Sequence, residues 1–210
     1  MSPRRRQAAS LKRTTAARPE RRTIVVFTEG KNSEPDYVNG LKQLPHIARN
    51  VALNVELHPT HGVPLKLVRL AVERSADPEI DECWCLFDVE WPRNHPNLEE
   101  ARALARKHGI LLAITNPCFE LWLVLHYQDF DKFCTTADIE RISRGLDKRS
   151  GKSLEAAQYL PSRAKAARRA HNLEKRHLRD GTVFPHDNPS SGMAKFLTAV
   201  EGAATRAGDP

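Results

Sequence analysis

No uncharged apolar run in this chain reaches the roughly 18 residues that a membrane-spanning helix needs, so no membrane span is expected. Residues 1–22 lack the apolar segment of a secretory signal, and a cytoplasmic protein is expected. Cysteine is scarce: Cys83, Cys85, Cys118 and Cys134 show no CxxC spacing, and they read as core thiols rather than disulfides or a zinc site. The body of the chain has no internal repeat and no low-complexity segment. KRSGKS (148–153) contains GKS, but it lacks the first glycine of a Walker A loop and follows no strand, which excludes a P-loop. Apolar residues, by contrast, make up 40% of 210, enough for a real core and too many for a wholly disordered chain.

The charge is unevenly spread. Residues 1–22 carry eight basic residues and one acid, which accounts for the whole net charge of +7, while 23–210 are neutral overall. The segment before Thr23 offers little to bury and is expected to be a disordered tail. It reads either as an arm that holds nucleic acid by its phosphates or as a soluble leader without a role.

From Thr23 the pattern becomes that of a folded domain. TIVVF (23–27) suits a strand buried on both faces. Ser33, with Asp36 three residues on and Pro35 between them, approximates a capping box for a helix over 34–43. ALNVELHP (52–59) alternates like a strand, and 64–74 is amphipathic, with Leu65, Val68 and Val72 on one side. CWCLFD (83–88) is a third strand, and 97–108 a helix closed by Gly109. ILLAIT (110–115) is a fourth strand, after which Asn116 and Pro117 lead into an apolar helix over 118–127. Strand and helix thus alternate four times, which predicts an α/β fold with a mainly parallel sheet flanked by helices over 23–130. The remainder, 131–210, reads as a helical C-terminal extension with helices over 136–142, 154–159, 161–178 and 190–201.

Ligands of open α/β sheets bind beyond the carboxyl ends of the strands. The first strand ends in Thr28, Glu29 and Gly30, and the third in Asp88, Val89 and Glu90. Residues two apart in extended chain point the same way, so Asp88 and Glu90 can converge, with Glu29 at the tip of another strand. Carboxylates gathered in this way repel one another unless a cation neutralises them, and an all-oxygen set suits Mg²⁺ or Mn²⁺. Each acid taken singly is equally an ordinary loop residue. Glu120 is the one charge between Ile110 and Leu125. It faces solvent at the sheet edge, bonds local amides, or joins the acidic site, because an unpaired buried carboxylate would cost several kcal/mol. His126, one turn after Trp122, reads as a satisfied core histidine or, alternatively, as a further site residue.

VVFTEGKNSEPDYVNGL (25–41), FDVE (87–90), NPCFELWLVLHY (116–127) and DNPSSGMAKFL (187–197) together resemble the RloB-like proteins, over about residues 23 to 200. The resemblance implies a Toprim-like α/β domain and a Mg²⁺-dependent site that acts on phosphodiesters. It matches Glu29 to the motif glutamate and Asp88 to the first acid of a DxD, with Glu90 standing where the second Asp is usual. Glu34 and Glu120 fall in matching segments and are carried over as further metal ligands. It also implies a role in anti-phage abortive infection beside an AAA- or ABC-type ATPase partner, and assembly as an oligomer. On this reading the protein is a nuclease for DNA or RNA. Its alternative is a Toprim-fold subunit that binds nucleic acid or an ATPase without cutting. Lys31, after the Glu-Gly turn, would neutralise charge on phosphate or is an exposed loop lysine. The densest basic stretch of the body carries Arg163, Lys165, Arg168, Arg169, Lys175 and Arg176, a phosphate track or a solvated helix face.

Overall fold

The computed structural model describes residues 21–57, 63–149, 151 and 153–205. The expected basic tail lies outside the described residues up to position 20. Arg21 and Arg22, however, belong to the body. The Arg21 guanidinium donates to the Ala48 carbonyl at 3.0 Å, and Arg22 opens the first strand and pairs with Glu82 at 3.3 Å.

The four predicted strands form where the apolar runs lie: β1 (Arg22–Thr28), β2 (Val51–Leu57), β3 (Glu82–Asp88) and β4 (Leu111–Asn116). A two-residue strand, β5 (Ser190–Ser191), completes a sheet of order β2-β1-β3-β4-β5, parallel except for the β4–β5 pair. Alternation along the strands feeds two apolar layers. Ile24, Val26, Trp84 and Leu86 face one side, and Val25, Phe27, Cys83, Cys85 and Phe87 the other. The second layer is covered by α3 (Pro64–Arg74) and α4 (Leu98–His108), through Leu67, Val68, Ala101 and Ala105. The first takes α1 (Ser33–Lys42), α2 (Pro45–Asn50), α5 (Glu120–Tyr127), α6 (Thr136–Asp147), α7 (Arg163–Asp180) and α8 (Met193–Thr205). Helix α5 is buried from Leu121 to His126, as a helix apolar all round must be. All four cysteines are free and buried, as expected.

Several local expectations differ from the fold. The N-cap of α1 is Asn32 rather than Ser33, and no capping box forms there. The carboxylates that would serve it are used elsewhere: Glu34 accepts the Gly30 N–H at 3.1 Å, and Asp36 accepts the Leu154 N–H at 2.8 Å. A true capping box, Thr135 with Asp138, starts α6, which runs on to Asp147 instead of ending at Ile142. The helix predicted over 154–159 is replaced by two short 3₁₀ turns, Ala156–Gln158 and Leu160–Ser162, split ahead of Pro161, which has no N–H to continue a ladder. Helix α5 begins at Glu120 rather than at 118. The predicted helix start at Ser190 is β5 instead, because Gly192 lies against the β4 backbone. Its N–H donates to the Ile114 carbonyl at 2.8 Å, and a Cβ there would sit 2.8 Å from Ile114 N.

Candidate metal and phosphate site

Parallel pairing of β1 with β3 sets Thr28 opposite Leu86, so both strand ends open at the same edge. The Glu29 N–H continues the ladder to the Leu86 carbonyl at 3.1 Å. One Glu29 oxygen accepts the Asp88 N–H at 3.3 Å, and the other meets His95 Nε2 at 2.7 Å. Glu90 follows β3 with φ of +67°, in the left-handed region that non-glycine residues seldom occupy. The Thr136 hydroxyl donates to its carboxylate at 2.6 Å. Glu34 reaches back from the first turn of α1 to the Gly30 N–H. A Cβ on residue 30 would lie 2.2 Å from Glu34 Oε2, so the glycine makes room for that carboxylate. Glu120, in the first turn of α5, pairs with Arg149 at 3.1 Å, and Arg149 also meets Asp147 at 2.9 Å.

These side chains line one cavity of about 470 Å³, together with Lys31, Glu140 and Arg144. All six acidic-site residues expected from sequence therefore meet: Glu29, Lys31, Glu34, Asp88, Glu90 and Glu120. Of the three possibilities for Glu120, the structure selects the acidic site. Six carboxylates line the cavity against three bases, and two of those bases are engaged, Arg144 by Glu140 and Arg149 by Glu120.

The electrostatics follow from this crowding. Burial holds the Asp88 carboxyl well above the usual carboxylate range, and the charges of Glu34, Glu29, Glu120 and Glu90 push it further in the same direction. Among the described residues no base pairs with it. Burial pushes Glu34 up to about 7 against the pull of its backbone hydrogen bonds, with Glu120 and Glu29 adding to the rise. Glu90 is raised by burial and partly relieved by Thr136. His95 is raised chiefly by its hydrogen bond to Glu29.

The donors are carboxylate oxygens, and among the described residues no Cys or His lines the cavity, which fits Mg²⁺ or Mn²⁺ and not zinc. Among the described residues no group of three or more His, Cys, Asp or Glu side chains is disposed to hold a metal ion as it stands.

The basic helix α7 contributes nothing to this cavity. Arg163 is bound to Glu201, Arg169 to Asp129 and the Leu125 carbonyl, and Arg176 to Asp131, so these three hold the helix in place. Lys165, Arg168 and Lys175 are exposed. His126 is the core histidine expected: it bonds the Tyr37 hydroxyl at 3.1 Å and the Trp122 carbonyl at 2.8 Å. Sequence reasoning missed His95, Thr136, Glu140, Arg144 and Arg149. His95 sits in a Pro-flanked loop without periodicity, and Arg149 lies in the KRSGKS stretch, which carries no acidic-site pattern.

The segments that carry the resemblance also carry structure. Asn116 donates to the Pro185 carbonyl at 2.9 Å and to Asp187 at 3.0 Å. Asn188 bonds both the N–H and the carbonyl of Cys134. The two Asn-Pro motifs thus tie the C-terminal segment to the end of β4 and to the loop before α6. The model of a family described as RloB-like protein matches residues 24–200. No curated protein and no solved structure matches the chain.

Proposed function

The chain belongs to the RloB-like protein family, and from that premise we propose that it is a Mg²⁺-dependent nuclease that cleaves phosphodiester bonds in DNA or RNA. The observation that carries the reading is the convergence of Glu29, Glu34, Asp88, Glu90 and Glu120 in one cavity at the carboxyl edge of a mainly parallel sheet. Such an array of like charges is expensive unless a cation or a proton occupies it. Glu29, Asp88 and Glu90 would hold the metal, with Glu34 and Glu120 beside them. A bound Mg²⁺ supplies a Lewis acid for the phosphate and a water made nucleophilic at neutral pH.

The chain's own residues account for the rest. His95 and the Asp88 N–H orient Glu29, and Thr136 orients Glu90. Lys31, exposed at the cavity wall and in no ion pair among the described residues, attracts phosphate. The Toprim-like character of the sheet, the role in anti-phage abortive infection, the ATPase partner and assembly as an oligomer rest on the family resemblance. They form the cellular setting of the same proposal.

A second reading is favoured by Arg149, which already neutralises Glu120 from within the cavity. On that reading the chain is a subunit that binds nucleic acid or an ATPase without cutting. Incubation of the full-length protein with end-labelled DNA and tRNA, with and without Mg²⁺, separates the two. Cleavage that needs Mg²⁺ and falls roughly 100-fold or more in Asp88→Asn is the expected result. Absence of cleavage with metal and an ATPase partner supplied favours the second reading.

A further inference from the structure

We propose that this site takes an unpaired nucleotide strand, with a base stacked on the Phe133–Trp91 pair beside the carboxylate cluster. The inference rests on the nuclease reading above and names its substrate class. Phe133 is 59% exposed, the most exposed aromatic side chain among the described residues, although phenylalanine is ordinarily buried. Its ring meets Trp91 edge to face, with centroids 5.3 Å apart and planes at 87°. An aromatic pair with one ring in water and the other, Trp91, half-buried is a platform for another flat, apolar face.

The Thr136 hydroxyl bonds both the pair and the site. Thr136 Oγ1 accepts the Trp91 N–H at 3.0 Å and donates to the Glu90 carboxylate at 2.6 Å, while the Thr136 N–H donates to the Trp91 carbonyl at 3.0 Å. The left-handed turn at Glu90, pinned by its N–H to the Pro117 carbonyl at 2.8 Å, lets consecutive residues diverge. Glu90 lines the cavity, and Trp91 packs with Phe133 outside it. A residue held in that backbone region persists only where its surroundings fix it, and here the turn places a ring next to the acid.

The charges nearby suit a phosphate backbone. Arg93, two residues after Trp91, and Lys132, next to Phe133, are both exposed and in no ion pair among the described residues. Bases inside a duplex keep their faces stacked on one another, so a ring that stacks on a base without first unstacking a pair meets an unpaired one. Stacking on aromatic rings flanked by bases is how single strands, loops and ends are held.

The test uses the full-length protein in EDTA with labelled oligothymidylate, oligouridylate and a blunt duplex of equal length. Tighter binding of a single strand than of the duplex is expected, with the DNA and RNA arms showing which sugar is preferred. Phe133→Ala should weaken single-strand binding about fivefold or more, leave duplex binding and melting temperature unchanged, and be rescued by Phe133→Tyr. Trp84 and Trp122 are buried, so quenching of tryptophan fluorescence by the oligonucleotide should vanish in Trp91→Phe. Single-strand binding unaltered in Phe133→Ala, a preference for duplex, or no binding of any strand would overturn the platform. Cleavage is scored separately. Cleavage without an effect of Phe133 removes the platform and leaves the nuclease. Phe133-dependent binding without cleavage does the reverse.

Discussion

Asp88 lies in the field of Glu34, Glu29, Glu120 and Glu90, with burial the largest influence on it. A carboxyl raised in the folded state binds a proton more readily there than in the unfolded chain. Its contribution to stability is therefore greatest at low pH and is lost as pH rises above the ordinary carboxylate range. At neutral pH without metal the charge is a liability. Asp88→Asn should leave the metal-free melting temperature unchanged or raised, and should lose the rise in melting temperature that the proposed function expects of the wild type with Mg²⁺. If Asp88 were instead a structural acid, Asn would lower stability by about 1 kcal/mol or more. His126 works in the opposite direction. Burial depresses it to about 4, so the unfolded chain takes up its proton first as pH falls. Stability tied to His126 is complete above about 6.5 and drains away between there and about 4. His126→Gln should be less stable than wild type at pH 7, and thermal melts should show that gap narrowing toward pH 4. Glu34, raised to about 7, is common to both proteins and cancels in the comparison.

At the scale of elements, the C-terminal segment is fastened to the sheet by close backbone contact at β5 as well as by the apolar side chains that α8 buries. Ser190 and Ser191 pair antiparallel with Asn116 and Thr115, and Gly192 follows where a Cβ would lie 2.9 Å from Ala113 Cα. Backbone atoms cannot swing aside as a side-chain tip can. Gly192→Ala should therefore destabilise by about 2 kcal/mol, within the usual range for overpacking, and show as a lower urea midpoint. Gly30→Ala meets only the end of the Glu34 side chain, so the clash there falls on the site more than on the fold. Helix α5 joins the two regions. Its first residue supplies a carboxylate to the cavity, and its next six are buried between the sheet and the helices that follow.

Across the whole molecule, charge and fold are separate. Residues 23–210 are neutral in sum, and the excess lies before them. Arg21 and Arg22 are bound to the body, so the portion free to be removed ends at residue 20. Deletion of 1–20 takes away six basic residues and one acid. It should leave the melting temperature in place, weaken oligonucleotide binding at low salt, and flatten the dependence of log affinity on log salt. Deletion through residue 22 should in addition lower stability, because it removes the Arg22–Glu82 pair and the first residue of β1.

How much of this was legible in the sequence depended on distance along the chain. The strands β1, β3 and β4 and the helices α3 and α4 were readable because β-branched runs and helical apolar spacing are local properties, and burial on both sheet faces acts on them without regard to partners. The acids at positions 29, 88 and 90 were readable as candidates for the same reason: each ends a strand, and parallel strands end together. The sequence could not decide where long-range hydrogen bonds would go. Asp36 left its expected cap for an amide 118 residues away, Glu120 found Arg149, and the Glu90 carboxylate found Thr136. His95 and Phe133 carried no signal, since both stand in loops, and only tertiary packing brings either to the cluster. Local periodicity is encoded residue by residue. A site is a sum of contacts between distant segments, and only the closed fold determines which of the competing contacts each polar group makes.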